Sequence, residues 1–178
     1  MCQGWAIRFV QLSDGRRQIL SVLLPGDLFS TTSFCREKLH FSVQAVTNVR
    51  FSRFERADLK KRVVASTDIL SALAMVCAAE QQDMDELSTA LGRGTAEERI
   101  AHLIVRLVDR LSTHSGIGPD HRYPFPLRQT HIADITGLTS VHVSRVISEF
   151  RRANYLQLSK GFLVLRDRTA LQRIGRLQ

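Results

Sequence analysis

The chain has 178 residues, 44% hydrophobic and 24% charged. This is a globular composition that excludes wholesale disorder and fits one ordinary domain, or two small ones sharing a core. With 25 Lys and Arg against 17 Asp and Glu, it carries a formal charge of +8, which favours a polyanionic partner. Residues 119–178 hold 10 basic and four acidic side chains, so +6 of the excess lies in the last third, where a nucleic-acid site is to be sought.

Cys2, Cys35 and Cys77 lie far apart with no CxxC pair, and the six His form no HExxH or similar pair. Neither a disulfide framework nor a metal site is expected. No stretch approaches the ~20 apolar residues of a membrane span, so no membrane contact is expected. The N-terminus has no signal-peptide pattern, which makes the cytoplasm the expected location. Walker, GxSxG, GxGxxG and paired-carboxylate signatures are missing, and an enzyme is not expected.

In chain order, Trp5–Leu12 and Arg16–Leu24 read as two strands joined by the turn Ser13-Asp14-Gly15. Pro25-Gly26-Asp27 breaks the second strand. Phe41–Val46 and Val49–Phe54 read as a further pair of short strands around Thr47-Asn48, and Glu55–Arg62 as a short helix. From Thr67 to Leu91 there is no Pro or Gly, and Ile69, Leu73, Val76, Glu80, Met84, Leu87 and Leu91 follow at three- or four-residue spacing. That stripe predicts a long helix whose seam packs against a second copy, against its own chain, or against both on adjacent faces. Thr95 and Glu98 form a capping box for the next helix, whose core face is Ile100, Leu103, Ile104, Leu107, Val108 and Leu111. Ser112–Pro126, with two Gly and three Pro, reads as a loop leading into an extended segment.

The most informative stretch is Leu127–Phe150. Gln129–Thr136 is predicted as a short helix, Gly137-Leu138-Thr139 as a turn, and Ser140–Ala153 as a second helix capped by Thr139 or Ser140. Val143, Val146, Ile147 and Phe150 would face inward, leaving His142, Ser144, Arg145, Ser148 and Glu149 on other faces. This is a helix-turn-helix layout, whose second helix enters the major groove of double-stranded DNA. Arg145 suits a bidentate contact to guanine. Tyr155–Leu158 and Phe162–Leu165 then make a hairpin with Lys160 at its tip, a wing suited to a phosphate contact. Rival readings are a ligand-sensing module without a DNA role and an RNA-binding winged helix. Scarce aromatic platforms weigh against RNA.

The order of elements resembles the Crp/Fnr family of bacterial transcription regulators. GxxxRxxxLxDGRRQILxxLLPGDLF (Gly4–Phe29) is similar to the second half of that family's cyclic-nucleotide-binding β-roll. AEERIAHLIVRL (Ala96–Leu107) resembles the helix after its dimerisation helix, and HIADITGLTSVHVSRVISEFRRANYL (His131–Leu156) its helix-turn-helix. The resemblance implies an α+β fold in three parts. These are a partial antiparallel β-roll over residues 1–62, a long dimerisation helix over 63–93 and a C-terminal winged helix-turn-helix over 94–178. It also implies a homodimer on an inverted-repeat operator, with RNA polymerase as a further partner.

The resemblance implies phosphate contacts from Gln129 and Thr130 and contacts to DNA from Thr139, Ser140, Val141, His142, Ser144, Arg145 and Lys160. Ser144 and Arg145 match the family's S-R pair, while Val141 stands where a Glu would accept from cytosine N4. The half-site is therefore expected to differ at that base, with Val141 set against a thymine methyl. The family's Gly-Glu and Arg-Ser or Arg-Thr pairs for cyclic AMP are replaced by Ser30-Thr31 and Leu39-His40, so no tight cyclic-AMP binding is expected. The cysteines do not supply an iron–sulfur cluster, no cofactor is identified, and the effector is left open. Family members are longer at the N-terminus, so Met1 would fall inside the β-roll, with weak solubility or altered strand pairing as the expected consequence.

Overall fold

The computed structural model describes residues 1–29, 31, 38–115 and 122–176, so Ser30, Cys35 and His121 lie outside the described residues. Strands β1 (Ala6–Gln11) and β2 (Arg17–Leu23) form the expected antiparallel hairpin, pairing Ala6 with Leu23 and Gln11 with Arg17 around a register shift at Arg8/Phe9. Ile7, Ile19, Val22 and Leu23 on it are buried.

Strand β3 (Ser42–Ala45) pairs with the other edge of β1, giving the order β2-β1-β3. The expected partner strand Val49–Phe54 does not form; within it Arg50 makes a single bridge to Gln3. The reason is local. Neither Thr47 nor Asn48 takes the positive φ of a tight hairpin, and the N–H groups of Val46 and Thr47 both donate to the Trp5 carbonyl. The chain therefore crosses the start of β1 instead of folding back on β3.

Helix α1 (Arg56–Ala65) starts one residue after the predicted position and runs three further. Helix α2 (Thr67–Arg93) is capped by Ser66, whose hydroxyl accepts from the Ile69 N–H. The capping box before α3 (Ala96–Ser115) is formed, with the Thr95 N–H donating to Glu98 at 2.7 Å and the Glu98 N–H to Thr95 Oγ1 at 3.2 Å. α3 runs into the predicted loop because Leu111 is buried and the Ser112 and Thr113 hydroxyls donate to carbonyls one turn back.

Strand β4 (Arg122–Pro124), helices α4 (Gln129–Thr136) and α5 (Ser140–Arg152), and strands β5 (Leu156–Ser159) and β6 (Phe162–Leu165) complete a winged helix-turn-helix, its sheet ordered β4-β6-β5. Leu156, rather than Tyr155, opens β5, because Asn154 takes a positive φ and Tyr155 donates back to the Phe150 carbonyl. A last helix, α6 (Arg168–Ile174), was not expected from the pattern; Asp167 caps it and Leu171 is buried.

One buried cluster runs from Trp5, Ile7, Ile19, Val22 and Leu24 in the first sheet through α3 to α4, α5 and the wing. Trp5 meets Phe125 edge to face at 6.2 Å. The predicted stripe on α2 divides. Glu80 engages Arg8 and Thr31 and Leu87 packs against the core, whereas Ile69, Val76 and Met84 stay exposed. Leu73 and Leu91 are half-buried. Leu70, Cys77 and Met84, seven residues apart, form an open row beside the face turned to the chain itself. Among the described residues no single helix is long and apolar enough to cross a membrane.

Candidate nucleic-acid interface

The site is built from α4, the Gly137 turn and α5. At the start of α4 the Arg128 N–H donates to His131 Nδ1 at 3.2 Å, so an imidazole satisfies a donor that the helix leaves free. Burial, followed by the guanidinium groups of Arg17 and Arg128, holds the His131 pKa below its ordinary value, in keeping with a ring nitrogen used as an acceptor. Arg128, Gln129 and Thr130 are exposed at this helix end.

Gly137 closes α4 in the left-handed region (φ 65), its N–H donating to the Ala133 carbonyl. Two constraints select glycine there. A larger residue pays for that φ, and a Cβ would lie 3.2 Å from Leu91 Cδ2 on α2. Arg99 holds the turn from behind, with Nη1 donating to the Thr136 carbonyl at 3.2 Å and Nε to the Gly94 carbonyl at 2.8 Å.

Thr139 caps α5 as expected: its Oγ1 accepts from the His142 N–H and lies 3.2 Å from His142 Nδ1. Val143, Val146, Ile147 and Phe150 are all buried, which turns the other faces outward. Val141, His142, Arg145 and Ser148 are exposed and Ser140, Ser144 and Glu149 half-exposed. Arg145 Nε lies 3.9 Å from Glu149 Oε1, a loose pair that leaves most of the guanidinium's donors available. Lys160 and Gly161 take φ 49 and φ 78, consecutive positive values that give a two-residue turn between Ser159 and Phe162. The Lys160 side chain is exposed at that tip.

Sequence reasoning missed the residues that orient this unit. Arg17 on β2 binds Asp134 on α4, Gln18 donates to the Ile135 carbonyl, and Arg99 braces the turn. Their partners lie 37 to 117 residues away, and no local pattern reports such pairs.

The model of the Crp-like helix-turn-helix domain matches residues 98–174, and that of the cyclic nucleotide-binding domain matches residues 1–65. The chain belongs to the Crp/Fnr family. Among family relatives it is 34% identical over 164 residues to the nitrogen fixation regulation protein FixK of Azorhizobium caulinodans, covering 92% of this chain and 65% of that protein. It is 29% identical over 160 residues to the transcriptional activator protein FnrL of Cereibacter sphaeroides, covering 88% and 63%. The chain thus spans a little under two-thirds of the length of these Crp/Fnr relatives. The structure of FixK2 from Bradyrhizobium japonicum superposes with a TM-score of 0.81 at 27% identity, covering 98% of this chain and 84% of that one.

Proposed function

We propose that this chain is a sequence-specific DNA-binding transcription regulator of the Crp/Fnr type, acting as a homodimer on an inverted repeat. The observation that carries the reading is α5 itself: a capped helix with one face buried, and Val141, His142 and Arg145 presented together with Ser144 from its first turns. Arg145 pairs with guanine O6 and N7 in the major groove, and Ser144 and His142 contact neighbouring base edges or phosphates. Thr139 and Ser140 hold the helix N-terminus against the backbone. Arg128, Gln129 and Thr130 meet phosphates from α4, and Lys160 does so from the wing.

The homodimer is read from α2, whose open row Leu70, Cys77 and Met84 keeps heptad spacing over a helix of 27 residues. Ile69, Leu73 and Val76 border that row, while Glu80, Leu87 and Leu91 turn to the chain itself. RNA polymerase as a partner and the cytoplasm as the location follow from the same reading.

Tight cyclic-AMP binding is not part of it. Leu39 and His40 are exposed, and the cleft between β2 and α2 carries Asp27, Glu80 and Asp83 against Arg8 and Arg110. Arg8 is engaged by Glu80, Arg110 by Asp27 and Asp83 by Arg106, so each guanidinium of the described cleft already has a carboxylate partner that a phosphate would have to displace. Calorimetric titration with cyclic AMP is expected to show no micromolar binding.

Selection of bound sites from random duplexes tests the main reading. An inverted repeat with half-site centres about 34–36 Å apart is expected. Enrichment of no duplex would overturn it.

A further inference from the structure

Every apolar side chain of α5 is buried except Val141, which is 78% exposed. A single exposed valine is common on protein surfaces, so its position must decide what it does. Val141 stands in the first turn, two residues beyond the cap Thr139, and Ser144 and Arg145 follow three and four residues on, on the same helix face. The helix gains nothing from a β-branched residue there.

This inference rests on the DNA-binding reading above. We propose that Val141 reads the C5-methyl group of a pyrimidine in the major groove, close beside the guanine read by Arg145. Valine has no donor or acceptor, so it is blind to the N4, N6, O4, O6 and N7 groups that distinguish bases polarly. The one apolar group on a major-groove edge is the C5-methyl of thymine. 5-Methylcytosine carries the same group. Four residues advance a helix by about 6 Å, and successive base pairs are about 3.4 Å apart, so the two contacts fall within about two base pairs of each other.

The test is fluorescence anisotropy with the full chain and its selected operator at fixed salt. Each thymine of one half-site is replaced in turn by uracil, which removes only the methyl. At one position the wild type is expected to lose about fourfold in affinity, the effect of one buried methyl group. Cytosine at that position is expected to bind more tightly when methylated, by a similar factor; this arm separates a general methyl contact from a thymine-only one. Val141→Ser, an exposed substitution that leaves the far-UV circular dichroism unchanged, abolishes both effects. Val141→Glu moves the preference toward unmethylated cytosine, whose N4 donates to a carboxylate.

Uracil that costs the wild type nothing at every position overturns the proposal, as does a methyl effect that survives in Val141→Ser. If the chain selects a duplex but shows no methyl effect, only the role of Val141 fails. If it selects none, the DNA-binding reading fails and this inference with it.

Discussion

Arg17 on β2 and Asp134 on α4 form a half-buried ion pair across 117 residues of sequence, with Nε and Nη2 at 2.9 and 2.7 Å from Oδ2. The same guanidinium donates to Gln44 Oε1 at 2.8 Å and covers the Phe9 ring. A side chain of the first sheet thus fixes the first helix of the helix-turn-helix. The orientation of the candidate DNA-reading helix is therefore set partly by the N-terminal hairpin. Arg17→Ala is expected to lower stability by about 1–3 kcal/mol, since it leaves a half-buried carboxylate with fewer donors. Urea unfolding of the single and double variants with Asp134→Ala checks this, and a positive coupling energy is expected.

Protonation of His131 should loosen the start of α4. Its folded pKa is lowered, so the folded state binds fewer protons than the unfolded chain. This contribution to stability is complete above the unfolded value of about 6.5 and declines as the pH falls toward the folded value. The wild type should lose stability over that window, and His131→Asn should lose less. Thermal melts of both proteins between neutral and mildly acidic pH measure the difference.

Gly137→Ala places a Cβ in a left-handed conformation, and that atom would lie 3.2 Å from Leu91 Cδ2. A cost of about 1–2 kcal/mol is expected from the backbone alone. Gly137→Asn should be milder, because Asn tolerates this conformation better. Midpoints of chemical denaturation rank the two variants.

Two faces of α5 should respond differently to truncation. Ile147 is 1% exposed, and Ile147→Ala is expected to cost about 2–5 kcal/mol. Val141→Ala on the open face should change stability by no more than about 0.5 kcal/mol. Equal effects on the unfolding midpoint would contradict the assignment of the two faces.

The helix-turn-helix was legible because each of its signals is local. The 3.6-residue period of Val143, Val146, Ile147 and Phe150, the glycine at the end of α4, and the cap Thr139 all act within one or two turns. The hairpin at Asp14-Gly15 and the Lys160 wing were readable for the same reason. The pairing of β3 was not, because the choice between β1 and the segment 49–54 depends on the Trp5 carbonyl, some 40 residues away. α6 was missed because seven residues with few apolar positions carry little periodicity, and its formation depends on docking against α3. The stripe on α2 is apolar except at Glu80, and its spacing alone could not say that Glu80 and Leu87 turn inward while Leu70, Cys77 and Met84 remain open.

The most direct test of the account is the affinity of the wild type and Arg145→Ala for the selected operator and for a scrambled duplex, titrated at two salt concentrations. The wild type is expected to prefer the operator and to weaken steeply with salt, as counterions are displaced by Lys and Arg. Arg145→Ala should lose about 1–3 kcal/mol on the operator while binding the scrambled duplex nearly as before. Equal affinity of wild type and variant for the operator, or no operator preference in the wild type, would contradict it.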